Sequence, residues 1–435
     1  MGNVSNSEIS PSIGDWHALI RIEDIRAAAV RLESVGVHTP LQHSARLSER
    51  YGAEVFLKRE DTQKVRSYKI RGAYNFLASL TQGELEAGVV CASAGNHGQG
   101  VAWSCRRLGV DGDVFVPLRT PRQKVSRIAD LGGERISIHM VGDSYDDAAI
   151  AAKSFALAND AVVVPGFDHP VTIAGQGTVG LEILEDLSAI GVRPPDLVIA
   201  PVGGGGLLSG IGISLAACAP AVRLVGVQPA GAPAMIRSLA AGEPVSIDIG
   251  DDFVDGAAVK RPGVLTYSIV CDLGLELLSV DEGSVCSEML DLYQDEGIVL
   301  EPAGALSISA LGVLGASIAG CTVVCVLSGG NNDVTRYDEI IERSLVYEGL
   351  KHYFIVGFPQ QPGALRHFLD SCLGPNDDIV LFEYMKKSNR ELGPALVGLE
   401  IGHRDDLGPL LERINASGLV VERVLPGSAA YRLIV

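Results

Sequence analysis

The chain has 435 residues, 47% of them hydrophobic, and a formal charge of −18 at neutral pH. That length predicts about three domains or lobes, and the apolar content is ample for buried cores, which excludes a disordered chain. The acidic balance excludes nucleic acid and anionic membrane surfaces as partners, since both need a basic face.

Residues 1–14 are polar, lack a basic-then-apolar targeting signal and read as a short loose tail. Between about residues 54 and 334, short apolar runs alternate with stretches of helical period. Strands are predicted over 54–58, 89–92, 113–116, 136–141, 162–164, 197–200, 224–227 and 322–327. Helices are predicted to begin at Ile70, Asn96, Pro121, Tyr145, Ile173, Leu207, Glu282 and Ala303. Such alternation gives an α/β fold with parallel sheets covered on both faces, and it puts ligands at the carboxyl ends of the strands.

Two uncharged runs, 197–222 and 302–332, are long enough to span a membrane. Pro201, four consecutive glycines and Gly329-Gly330 would break a spanning helix, so these runs read instead as a buried strand–loop–helix and a buried helix–loop–strand. A soluble, cytoplasmic protein is expected. The eight cysteines form no Cys-x-x-Cys pair and the histidines no helix-spaced pair, so buried thiols and no metal site are expected.

Near Tyr347 the pattern changes. A strand over 352–357, a helix over 362–372, strands over 378–384 and 395–401, a helix over 405–417 and a strand over 420–424 give the order βαββαβ, the ferredoxin-like split unit. It carries none of the glycine-rich chemistry that precedes it.

Four segments carry that chemistry. Ser67-Tyr68-Lys69-Ile70-Arg71-Gly72-Ala73 offers an amine at a helix start, with small residues behind it that would let the helix approach a flat ring; alone, Lys69 reads first as an exposed helix-start lysine. Ser93-Ala94-Gly95-Asn96-His97 follows a strand and offers an amide, although Asn96 could be a plain helix cap. Gly203-Gly204-Gly205-Gly206-Leu207 lies between a strand and a helix, so it reads as an anion-binding turn and not as a linker. Ser328-Gly329-Gly330-Asn331 offers a hydroxyl, with an ordinary turn serine as the alternative. Amine, amide, phosphate cradle and neutral hydroxyl are the four contacts that a pyridoxal phosphate ring needs.

As a set, these segments resemble the tryptophan-synthase-β-like (fold type II) pyridoxal-phosphate enzymes, and within them the threonine ammonia-lyases, or threonine dehydratases. Thr39-Pro40-Leu41, Leu57-Lys58-Arg59-Glu60-Asp61 and Leu300-Glu301-Pro302-Ala303-Gly304-Ala305 look like further motifs of that family, in its order. The C-terminal part resembles the ACT-like regulatory domain of biosynthetic members, with Gln361-Pro362-Gly363-Ala364-Leu365 as its strand-to-helix turn. The chain departs from near-relatives at Ile70, where cysteine and threonine synthases carry aspartate, and at Ala94, where serine racemases carry a second serine that acts as a base. It departs also at Gln228, where cation-binding relatives carry glutamate, and at Tyr68, in place of the commoner phenylalanine.

The resemblance implies a two-lobed catalytic domain over 1–345, with a smaller lobe at roughly 76–165 inserted, and an ACT-like regulatory domain over 346–435. It implies pyridoxal 5'-phosphate as cofactor, held by Lys69, Asn96, Gly203, Gly204, Gly205, Gly206, Leu207 and Ser328, with Lys69 also the catalytic base. The substrate carboxylate would sit on Ser93, Ala94, Gly95, Asn96 and His97, and Tyr68 and Glu301 would support the site from behind. The implied reaction is elimination of water from L-threonine to 2-oxobutanoate and ammonia, the first step toward isoleucine. Isoleucine would inhibit, valine is a candidate activator, and a homo-oligomer, dimer or tetramer, would complete the regulatory surface. An L-serine ammonia-lyase, a serine racemase and a non-catalytic amino-acid sensor are the competing readings.

Overall fold

The computed structural model describes residues 16–384, 391–428, 430, 431 and 434; the tail expected over 1–14 lies outside them. The chain divides into two compact units, one reaching to Asp333 and the other starting at Val334.

The first unit holds two sheets. The larger contains β1 (Leu41–His43), β2 (Glu54–Arg59), β7 (Leu197–Pro201), β8 (Arg223–Pro229), β9 (Glu276–Val280) and β10 (Thr322–Leu327), in the order β1-β2-β10-β7-β8-β9. All its pairs are parallel except β1 with β2, so the only antiparallel strand sits at an edge. The smaller sheet, β5-β4-β3-β6, is wholly parallel and consists of β3 (Val89–Ala92), β4 (Gly112–Val116), β5 (Ile136–Met140) and β6 (Val162–Val163). Its strands fall in sequence between β2 and β7.

The central strands β7 and β10 are buried along their length except for Thr322 at the start of β10, and read as apolar runs, as strands covered on both faces must. The helix Gly206–Cys218 is almost entirely apolar, and it lies against the helix Pro170–Ala189, which opens on a proline at its first turn. The two uncharged runs are thus strand, turn and helix packed in the core. No described helix is long and apolar enough to cross a membrane.

The second unit carries an antiparallel sheet, β12-β13-β11-β14, made of β11 (Lys351–Pro359), β12 (Asp378–Tyr384), β13 (Leu392–Glu400) and β14 (Val420–Val424). Its core, built around Phe354, Val356, Phe358, Phe368 and Leu410, is its own. The helix Tyr337–Glu348 groups with this unit although it begins before the expected boundary at 345. Glu342 is the reason: it accepts hydrogen bonds from Lys351 and from the Tyr353 hydroxyl on β11.

Candidate active site

Lys69 opens the helix Lys69–Leu77. Two residues earlier, Ser67 bridges to Gly329, and the Tyr68 N–H donates to the Ser328 carbonyl at 3.0 Å. The lysine is thereby tied to the loop that ends β10. Its Nζ donates to the Gly166 carbonyl at 3.0 Å and stands 5.3 Å from the Tyr68 ring centroid, so it is half-buried and engaged, not a surface lysine. Gly72 and Ala73 correct the expectation that they face a flat ring. A Cβ on Gly72 would lie 2.4 Å from Gln176 Nε2, and Ala73 packs toward Gly100, so both serve helix packing.

Asn96 is the first residue of the helix Asn96–Leu108, whose cap is Gly95, so its side chain is free for longer-range work. Its Nδ2 donates to Glu301 Oε1 at 2.6 Å and its Oδ1 accepts from Asn331 Nδ2 at 2.6 Å, which leaves one amide N–H to offer. Glu301 is 6% exposed; burial, together with the charge of Asp255, pushes its carboxyl up to about 7 against the opposing Asn96 bond. The Ser328 hydroxyl is buried and donates to the Ala303 carbonyl at 3.2 Å.

His97 is buried and its Nε2 faces the Val164 carbonyl at 3.0 Å, so that nitrogen carries the proton. Burial and the positive Lys69 hold its pKa down to about 4, so the imidazole is neutral. Beside it, Ser93 Oγ accepts the Gly95 N–H at 3.2 Å. Among the described residues no protein acceptor takes the N–H groups of Ala94, Asn96 or His97.

The tetraglycine joins β7 to the helix Gly206–Cys218. Gly205 has φ +97°, a left-handed conformation that favours glycine, and the Phe167 ring packs against Gly204. Among the described residues the N–H groups of Gly203, Gly204, Gly205, Gly206 and Leu207 find no protein acceptor, though all but Gly203 are buried. An unmet buried N–H costs about 1–3 kcal/mol, so a row of them at a helix N-terminus calls for an anion. Nearby, Gln228 is buried and its amide is used internally, donating to the Val202 carbonyl and accepting from the Ile236 N–H.

The family model described as pyridoxal-phosphate dependent enzyme matches residues 33–329, and that of the C-terminal regulatory domain of threonine dehydratase matches residues 342–434. The chain belongs to the pyridoxal-phosphate-dependent enzyme family. It is 57% identical over 415 residues to the L-threonine dehydratase biosynthetic IlvA of Mycobacterium tuberculosis, covering 95% of each chain. Among solved structures it is similar to threonine deaminase isoform 2 from Solanum lycopersicum, with TM-score 0.68 and 32% identity over 74% of this chain and 94% of that one. It is similar also to maize serine racemase, with TM-score 0.68 and 29% identity over 76% of this chain and 99% of that one.

The family cofactor fits these residues on the evidence of the buried, unpaired N–H groups, which suit its phosphate. Sequence reasoning missed the wall that joins the parts. Val164 receives His97, Gly166 receives Lys69, Phe167 covers Gly204, and Asp168 accepts the N–H groups of Val264 and Thr266. The one local signal was Pro170 at a helix start, which marks the end of this segment. Also missed was the charged network beneath Lys69, where fully buried Arg71 donates to both Glu60 and Glu182 and buried Lys58 pairs with Glu182 and Asp186.

Proposed function

We propose that the chain eliminates water from L-threonine and releases 2-oxobutanoate and ammonia, at the entry to isoleucine biosynthesis in the cytoplasm. One juxtaposition supports this reading. Lys69 on the Gly166 carbonyl, His97 beside Asn96 on the Val164 carbonyl and Phe167 against Gly204 bring the amine, the Asn96–Glu301 pair and the unpaired tetraglycine N–H groups to one wall, and the Tyr68 N–H ties the Ser328 loop to the same lysine.

Pyridoxal phosphate, when bound, supplies an electron sink that acidifies the substrate Cα proton and lets a β-substituent leave. Lys69 would hold the cofactor through its amine, and the same amine would take the substrate Cα proton. The N–H groups of Gly203, Gly204, Gly205, Gly206 and Leu207 would hold the phosphate, and those around Ser93, Ala94, Gly95, Asn96 and His97 would hold the substrate carboxylate. Asn96 would offer its remaining N–H to the ring hydroxyl, with Glu301 fixing its orientation, and Tyr68 lies beside the Lys69 amine. Ser328 would offer the ring nitrogen a neutral hydroxyl and no carboxylate, which favours elimination over racemisation. Ala94 cannot carry a proton on the opposite face, and this weighs against the racemase reading.

We further propose that the second unit binds isoleucine as inhibitor and valine as activator, and that a homo-oligomer completes its surface. Steady-state release of oxoacid from L-threonine and L-serine, with and without isoleucine, tests the whole reading. Turnover of D-serine, or conversion of L-serine to D-serine in place of 2-oxoacid release, would overturn it in favour of a racemase.

A further inference from the structure

The carbonyl of Gly204 is taken up by the segment that opens the helix Val264–Asp272. It accepts the Thr266 hydroxyl at 2.6 Å and the Gly263 N–H at 3.3 Å, and Thr266 is wholly buried. A trans peptide is planar, with its C=O and the next N–H on opposite sides. Fixing the Gly204 oxygen against the helix Val264–Asp272 therefore turns the Gly205 N–H outward, away from that helix. Gly205 then reverses the chain at φ +97°, and the first turn of the helix Gly206–Cys218 follows with its own N–H groups unpaired among the described residues.

Thr266 is itself held. Its N–H donates to Asp168 Oδ1 at 3.1 Å, while Asp168 Oδ2 accepts the Val264 N–H at 2.9 Å. A single carboxylate thus caps the start of the helix Val264–Asp272, where a negative charge is favoured. The chain of support runs Asp168, Thr266, Gly204 carbonyl, Gly205 N–H. We propose that Thr266 is a positioning residue for cofactor phosphate: its hydroxyl locks the peptide between Gly204 and Gly205 in the one orientation that presents an N–H to the anion. This rests on the reading that the tetraglycine holds the phosphate, and it adds a residue some sixty positions downstream as a part of that site. Without the hydroxyl the peptide can turn over, presenting a carbonyl oxygen to the phosphate instead.

The test compares binding of pyridoxal 5'-phosphate with binding of pyridoxal, which lacks the phosphate, to the full chain freed of cofactor, following the visible absorbance band. Wild type should bind the phosphorylated form far more tightly. Thr266→Val should weaken that form about ten- to hundredfold and leave pyridoxal unchanged, while Thr266→Ser stays close to wild type. Should the valine variant prove unstable, Thr266→Ala removes the same hydroxyl with less bulk and is read in the same way. Unchanged affinity for the phosphorylated form, or an equal loss for both forms, overturns the role of Thr266. If wild type binds the two forms alike, it is the tetraglycine reading itself that falls.

Discussion

Asn96 Nδ2 and Glu301 Oε1 meet at 2.6 Å across 205 positions of sequence, and Glu301 is almost fully buried. A carboxyl whose folded-state pKa is raised to about 7 binds protons that the unfolded chain has already released above about 4.5. The contribution of Glu301 to stability therefore falls as pH rises from about 4.5 through 7, and levels off above.

Glu301→Gln should remove that slope while keeping an acceptor for Asn96. Urea unfolding of the two proteins should show the variant gaining on wild type by on the order of 1–3 kcal/mol between pH 5 and pH 8. Glu288, also pushed up to about 7 by burial, titrates in the same window, so the difference between the two proteins is the quantity to read. Parallel curves would mean that Glu301 does not titrate there. The pH dependence of kcat/KM should change in the same range.

Lys69→Ala should abolish 2-oxobutanoate release and the protein-bound visible band while leaving the fold intact by circular dichroism. Near-normal oxoacid production would remove Lys69 from the catalytic role.

Arg71→Met should cost about 3–5 kcal/mol at neutral pH, because it strands Glu60 and Glu182 in the interior. Burial alone would raise the Glu182 carboxyl, but the Arg71 and Lys58 charges outweigh it and hold it down at about 2. A depressed carboxylate contributes stability above its unfolded value near 4.5 and loses it as pH falls toward 2. The deficit of the variant, measured by denaturant unfolding, should accordingly shrink below about pH 4.5. A constant deficit would assign Arg71 a packing role only.

Ser328→Asp should hold the ring nitrogen of the cofactor protonated, slowing elimination relative to racemisation and transamination of the same substrate. Unchanged product ratios would show that Ser328 does not face the ring.

Truncation after Asp333 should leave threonine deamination in place and erase its response to isoleucine. The cut belongs there and not at residue 350, because Glu342 ties the helix Tyr337–Glu348 to Lys351 and Tyr353. A separate domain acts on the catalytic unit only through differential affinity for two states, typically ~1–3 kcal/mol, or about 5- to 150-fold in threonine affinity. Full inhibition of the truncated enzyme would place the effector elsewhere.

The sequence alone determined the strands that end in chemistry. β3, β7 and β10 announce themselves as apolar runs closed by Ser93-Ala94-Gly95, by four glycines and by Ser328-Gly329-Gly330, because hydrophobic period and glycine preference are local properties of the chain. The βαββαβ order of the second unit was legible for the same reason. The edge strands β1 and β9 and the helices Ile22–Glu33, Ala234–Ala241 and Val264–Asp272 were not, since the strands are short or half-buried and the helices take their place from the neighbours they pack against. Tertiary structure alone decided which groups work together: Asn96 with Glu301, Arg71 with Glu182, Thr266 with the Gly204 carbonyl. Each of these is a hydrogen bond or ion pair between residues 62 to 205 positions apart. Its energy depends on distance and burial in the folded chain, and no period or spacing along the sequence encodes either.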